Sequence, residues 1–301
     1  MNIRPYLFVY EHTSAGLPQS LWRGLKRSLT YLMETEVHVY GFSIAANVLL
    51  SLFPFLVVMA SLSRHLLGRP AEEAIYLAMR DYLPGIMGAN IPQFVKTLVN
   101  SRGALQWSSI ALLFFTANGI FEPLEVALNK AFGIKTNRSF LKNQLVSMGL
   151  IFCCGGLVLL SAVFAAYNQR WTQDLFGAGD AWRGPITAVV VKTVAIPATI
   201  LALFLTYWIL PNGPVPVGRV LPAAVGVGLL LEVFKYLVLW SWPWLGQKLW
   251  HEYLYFYASV SIILWSFAGS MIVLAGAEWA GREPESPGGE GAGPEVIAPE
   301  P

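Results

Sequence analysis

The sequence carries little charge for its length. Lys, Arg, Asp and Glu together make up 13% of its 301 residues, whereas a typical soluble domain has about 25%. Apolar residues reach 55%, and they gather into blocks close to the roughly 20 residues that cross a bilayer as a helix. A soluble globule needs more charge to cover its surface. The composition therefore argues against a soluble enzyme and predicts an all-α, polytopic membrane helix bundle.

Residues with metal-binding or nucleophilic chemistry are also scarce. The two cysteines, Cys153 and Cys154, are adjacent within an apolar block, which excludes a disulfide framework. The four histidines are scattered, and no His/Asp cluster has metal-ligand spacing. The net charge of +2 is too balanced to indicate a nucleic-acid partner. We therefore expect no enzymatic activity, no cofactor, no metal and no bound nucleic acid.

Six apolar blocks are long enough to be membrane spans. No cleavable signal peptide is evident, so we expect the first span to act as an uncleaved insertion signal. The predicted spans are Tyr40–Ser63, Leu105–Leu124, Leu145–Tyr167, Ile186–Leu210, Val220–Trp242 and Tyr255–Trp279.

The remaining segments complete the predicted organisation. Residues 1–39 form an N-terminal segment, and an amphipathic helix is predicted over Leu17–Val39, either in the membrane interface or packed on the end of the bundle. Residues 40–280 form the transmembrane domain. Its longest connection, Arg64–Ala104, contains two helical segments, Ala71–Leu83 and Ile91–Asn100. Residues 281–301 are rich in Pro, Gly and Glu, a composition that predicts a disordered cytoplasmic tail.

The distribution of Lys and Arg indicates an orientation. With the N-terminus inside, the inner segments carry ten of these residues and the outer segments eight. The bias is clearest beside the first span and in the short second loop, where the positive-inside rule is strongest. We expect both termini inside and the Arg64–Ala104 connection outside.

Polar residues recur at helical spacing within five of the predicted spans. A span can be wholly apolar, and each charge near mid-bilayer costs a few kcal/mol, so these residues indicate function or pairing. We single out a candidate intramembrane polar site consisting of Ser43, Asn47, Ser51, Asn118, Glu122, Glu125, Lys192, Glu232 and Lys235. Ser and Thr are also common at plain helix contacts.

Three of these residues form a predicted charged cluster. Glu232 and Lys235 are three residues apart and therefore neighbours on one helix. Lys192, on the preceding span, should lie within about one helical turn of the same depth. We expect Glu232 to be ion-paired inside the bundle. The cluster is either a structural ion pair or part of a solvated path.

Several segments resemble the YihY/BrkB family of bacterial inner-membrane proteins. The run Glu36–Ser63, "EVHVYGFSIAANVLLSLFPFLVVMASLS", resembles its first span, and "LSLFP" is the most specific part. "ALNKAFG" at Ala127–Gly133, "LPN" at Leu210–Asn212 and "AGAEWA" at Ala275–Ala280 also agree. One departure is Ala258, which stands where the family has Gly in Tyr-Gly-Ser.

The resemblance implies a bacterial inner-membrane protein of the cell envelope. The family was formerly labelled ribonuclease BN, but no nuclease motif is visible here. We expect a transporter or envelope-lipid translocation factor with a polar cavity inside the bundle. The alternative is a non-transporting membrane scaffold or partner subunit. Expected partners are membrane lipids, further copies of the chain or other envelope proteins.

Overall fold

The computed structural model describes residues 17–82, 86–102, 107–176 and 183–282, which are helical with no strand. The predicted all-α class is confirmed. In these ranges the helices are α1 (Leu17–Leu32), α2 (Thr35–Leu67), α3 (Arg69–Tyr82), α4 (Ile86–Arg102), α5 (Trp107–Ala131), α6 (Phe140–Phe176), α7 (Arg183–Ile209), α8 (Val217–Tyr253) and α9 (Tyr257–Gly281), with a 3-10 turn at Leu254–Phe256.

The predicted spans correspond to the six long helices, namely α2 and α5 to α9. Among the described residues, three stretches are long and apolar enough to cross a membrane: Thr35–Leu67, Phe140–Ser161 and Val217–Gly281, which contains both α8 and α9. A shorter apolar stretch, Ile196–Ile209, lies in α7. The protein is therefore an α-helical membrane protein.

The six long helices close into a ring. Each packs against the next in the order α2, α5, α6, α7, α8 and α9, and α9 packs back against α2. Small residues permit close approach. A Cβ at Gly276 of α9 would collide with Val227 of α8 and with the hydroxyl of Tyr207 of α7. Such contacts let membrane helices pack without a hydrophobic driving force between them.

Helix α1 lies at one end of this ring, which we call the α1 end. Arg27 lies 3.2 Å from the Glu278 carboxylate of α9, and the Ser28 hydroxyl donates to that carboxylate at 3.3 Å. The helix ends at Leu32 rather than at the predicted Val39, because the chain turns at Glu34 and Val37 is already buried in the bundle. Packing on the bundle is thus observed, while Leu29 stays exposed, as a membrane-interface position also requires.

Helices α3 and α4 cover the opposite end, which we call the cap end. Arg64 of α2 donates to the Asn100 side chain of α4 at 2.8 Å and lies 3.6 Å from Glu72 of α3. Tyr76 donates to Glu72 at 2.8 Å. The two helical segments predicted in this connection correspond to α3 and α4, and residues 83–85 between them lie outside the described residues.

Candidate functional site

The predicted polar residues of α2 are placed at helix contacts. Asn47 donates to the Ser43 carbonyl at 2.9 Å, and Ser51 donates to the Val48 carbonyl at 3.3 Å. The Asn47 side chain fills the space opposite Gly119 of α5, where a Cβ would overlap it. Asn47 therefore packs against α5, and all three residues take part in hydrogen bonds within α2.

The predicted polar stripe of α5 is divided by the fold. Glu122 is exposed, whereas Glu125, three residues further on, is buried. The side chains of Asn118 and of Lys192 in α7 lie outside the described residues. The predicted approach of Lys192 to Glu232 therefore stays a prediction.

Glu232 and Lys235 form an ion pair within α8. Their side chains keep 18% and 26% of their exposure, so the pair is neither sealed in the core nor open to the outside. Leu229, Val233 and Tyr236 on one side of Glu232 are exposed, and Gly228 on the other side is buried. The pair therefore lies at the boundary between the packed and the exposed sides of α8.

The depth of the pair follows from the packing of α8 on α9. Phe234, two residues after Glu232, lies beside Gly269, whose Cβ position is 4.0 Å from the Phe234 ring. Gly269 is the midpoint of the 25-residue α9. Since α9 is roughly 37 Å long, Glu232 and Lys235 lie about level with the middle of that helix.

A second polar group lies near the α1 end, and the predicted polar site includes only Glu125 of its members. We call it the polar junction, and it consists of Glu125 and Asn129 of α5, Arg138 of the α5–α6 loop and Asn212 of the α7–α8 loop. Glu125 and Asn129 are four residues apart and share one face of α5. Asn129 Oδ1 accepts the backbone N–H of Asn212 at 2.9 Å, so this face meets the segment that follows α7.

Arg138 caps the end of α7. Its guanidinium donates to the carbonyls of Ile209, Leu210 and Pro211 at 3.1, 3.3 and 2.5 Å. The last carbonyls of a helix lack partners within it, and the helix dipole favours a cation there. Pro211 cannot continue the helix, so the carbonyls must be satisfied by another segment. The "LPN" after an apolar run is the sequence signal for this cap.

Some polar atoms of the junction have no hydrogen-bond partner among the described residues. They are Glu125 Oε2 and both side-chain atoms of Asn212, Oδ1 and Nδ2, each hidden from solvent. Glu125 as a whole keeps only 7% of its exposure. Carboxylate and amide oxygens are ligands for hard cations. Within the described residues, no three His, Cys, Asp or Glu residues are grouped as a metal site.

Comparison with known proteins decides the family. A family model described as virulence factor BrkB matches residues 29–294. The chain belongs to the BrkB family. The resemblance found in the sequence is therefore confirmed. No solved structure matches this BrkB-family chain.

Curated relatives of this BrkB-family chain are distant. The ribonuclease-like protein YfkH of Bacillus subtilis is 24% identical over 244 residues, which cover 76% of this chain and 84% of YfkH. A UPF0761 membrane protein of Pseudomonas aeruginosa is 26% identical over 236 residues, 76% of this chain. The chain spans about half of that relative's length, 55%. A UPF0761 membrane protein of Prosthecochloris aestuarii is 24% identical over 288 residues, 89% of this chain and 64% of the relative.

The segments that carried the BrkB resemblance have clear positions in the fold. Leu210–Asn212 directly follows α7, where Arg138 donates to the Leu210 carbonyl and Asn129 accepts the Asn212 N–H. Gly276 of "AGAEWA" permits the close contact of α9 with α7 and α8. Glu278 of the same segment holds α1. These segments thus join helices that are distant in the sequence.

Proposed function

We propose that this BrkB-family membrane protein moves a lipid, or another amphiphile with a charged head group, across the bacterial cytoplasmic membrane. The observation that carries the proposal is the ion pair of Glu232 and Lys235. The pair lies level with the middle of α9, at the boundary between the packed and the exposed sides of α8, and in our proposal this exposed side faces lipid near the middle of the bilayer.

The energetic cost of this pair supports a function. A charged side chain at the centre of a membrane helix costs about 2.5–3.5 kcal/mol on insertion scales. Pairing three residues apart neutralises the two charges without a second helix. The residual exposure leaves both charges within reach of the lipid side. A zwitterionic head group carries one charge of each sign. Its cation can bind the Glu232 carboxylate and its anion the Lys235 ammonium, in place of their contact with each other.

The surface beside the pair suits acyl chains. Leu229, Leu230, Val233 and Leu237 are exposed along the same part of α8. In our proposal the lipid head group passes beside the ion pair as it crosses the bilayer. The acyl chains stay in contact with this apolar surface. A polar cavity inside the ring stays a prediction.

Location and partners belong to the same proposal. The Lys/Arg distribution supports an inside position for the α1 end and both termini, with the cap end outside. The expected partners are membrane lipids, with further copies of the chain or other envelope proteins. The proposal includes neither enzymatic activity nor nucleic-acid binding.

Reconstitution into liposomes tests the proposal. Vesicles that contain a lipid with a fluorescent head group are treated with dithionite, which bleaches only the outer leaflet. We expect the protein to add a bleaching phase for inner-leaflet lipid, and Glu232→Gln to slow it. The matched control is Glu73→Gln, an exposed carboxylate on α3. Vesicles with folded protein that bleach like protein-free vesicles would refute lipid movement.

A second function, a membrane scaffold, is supported by the tip of the α8–α9 hairpin. Tyr255 and Phe256 are 92% and 73% exposed there, and Trp244 is also exposed. An aromatic belt at the membrane interface also accounts for such residues. In vivo crosslinking from position 255 distinguishes the two: discrete adducts with an envelope protein, together with no lipid movement, would favour the scaffold.

A further inference from the structure

The polar junction contains a buried carboxylate whose charge is not matched. Glu125 is in no ion pair among the described residues, and its Oε2 has no hydrogen-bond donor there. We propose that Glu125, with the side-chain oxygen of Asn212, binds an alkali-metal cation at the polar junction.

Burial makes an uncompensated carboxylate costly. Removing a carboxylate from water without pairing costs several kcal/mol even after the protein relaxes. The helices around Glu125 bury it almost completely, and a cation bound directly to the carboxylate supplies the missing charge. The proposed site thus follows from burial together with the hidden, unpartnered oxygen.

The available ligands fit a monovalent ion. Glu125 supplies one negative charge, and Asn212 supplies a neutral amide oxygen that is also hidden and unpartnered. Asn129 Oδ1 already accepts one N–H and keeps a second lone pair. Calcium sites usually use several carboxylates among six to eight oxygens. One carboxylate and neutral amide oxygens instead balance a single positive charge.

Nearby positive side chains are already engaged. The guanidinium of Arg138 donates to three backbone carbonyls at the end of α7. Lys130, one residue beyond Asn129, is exposed and binds Glu36 at 2.7 Å. Neither forms an ion pair with Glu125 in the described part of the chain.

This site goes beyond lipid movement and does not depend on it. Glu125 lies on α5, whereas the proposed lipid path follows α8. The cation site is therefore tested by binding and stability alone, so its failure and the failure of the transport proposal are separate results.

The first experiment measures thermal unfolding of the full chain in detergent. Sodium, potassium or lithium chloride is titrated against choline chloride at constant ionic strength. Binding to the folded state raises the unfolding temperature as the ion concentration exceeds its dissociation constant. We expect a saturable rise with at least one alkali cation and none with choline. Equal unfolding temperatures in all four salts, as expected if only a proton or water occupies the junction, would overturn the proposal.

Variants then locate the ion. Glu125→Gln keeps the shape and removes the charge, and we expect the salt-specific rise to vanish. Glu34→Gln is the matched control, because Glu34 is an exposed carboxylate at the same end, and it should keep the full rise. If Glu125→Gln does not fold, Glu125→Asp retains the charge on a shorter side chain and should raise the half-saturating concentration about tenfold or more. An unchanged half-saturating concentration in folded Glu125→Asp, or a rise retained in folded Glu125→Gln, would refute the site.

Discussion

The side chain of Asn129 accepts the backbone N–H of Asn212 at 2.9 Å, although 83 residues separate them. This bond fixes the end of α5 against the segment that leaves α7. With the Arg138 cap, it holds the half-buried Asn212 beside the face of α5 that carries the buried Glu125. The proposed cation site thus depends on two loops as well as on a helix.

The first prediction concerns the Arg138 cap. Arg138→Ala removes three donors and leaves the last carbonyls of α7 with fewer partners, so we expect a loss of about 2–3 kcal/mol of stability. Arg138→Lys should recover part of it, because an ammonium cannot reproduce the planar fork. Reversible unfolding in mixed micelles measures both. Lys135→Ala, an exposed cation of the same loop, should change stability little.

The second prediction compares two helical glycines. At Gly276 a Cβ would overlap Val227 and Tyr207, so Gly276→Ala should destabilise the protein by about 1–3 kcal/mol. At Gly149 of α6 nothing lies within 4 Å of the Cβ position. Gly149→Ala should therefore be neutral or stabilise by about 0.5–1 kcal/mol. The same unfolding measurement tests both, and equal effects would contradict the close packing of α9.

The third prediction concerns the mid-membrane ion pair. Glu232→Gln leaves Lys235 without its carboxylate, and we expect a loss of roughly 1–3 kcal/mol, less than for a fully buried pair. The exchange of both residues, Glu232→Lys with Lys235→Glu, restores a pair at the same spacing. It should recover most of the stability. If the pair is only structural, lipid movement per folded molecule should be unchanged in Glu232→Gln.

The fourth prediction concerns the attachment of α1. Glu278 binds Arg27, Ser28 and Arg282, and Arg282 also donates to the Gly24 carbonyl at 3.0 Å. Glu278→Gln weakens these charged contacts and should speed tryptic cleavage at Lys26 and Arg27 in the reconstituted protein. Glu34→Gln, an exposed carboxylate beside α1, serves as the control. Cleavage at the wild-type rate in Glu278→Gln would show that other contacts hold α1.

The fifth prediction is a pH dependence at the cap end. Burial, and then the hydrogen bond to Glu72, raises the pKa of Tyr76 above its ordinary value of 10.0. The folded state holds this proton more tightly than the unfolded chain does, so the stabilisation is complete below about pH 10 and is lost as the pH rises toward the folded pKa. Tyr76→Phe should reduce the alkaline loss of stability. Tyr255→Phe, at an exposed tyrosine, is the control. An alkaline slope unchanged by Tyr76→Phe would contradict this interaction.

Sequence reasoning predicted part of the candidate site. The spacing of Glu232 and Lys235 was enough to predict their pairing, because residues three apart on a helix are neighbours. The same reasoning grouped Glu122 with Glu125, yet one is exposed and the other buried. The predicted stripe that carries Glu122 and Glu125 is wide enough to extend from the packed side of α5 to its exposed side. Only the positions of α2, α6 and α9, which pack against α5, determine where that boundary falls.

The sequence by itself determined the helical class, the positions of the long helices, the two cap helices and the family resemblance. Each depends on composition, local periodicity or a short motif. Tertiary structure alone decided the ring order of the helices, the contact of Asn129 with Asn212 and the attachment of α1 to Glu278. Helical periodicity shows which residues share a face, but it does not show which helix that face meets. Partners far apart in the sequence are set by the packing of the whole bundle, and the burial of Glu125 follows from it.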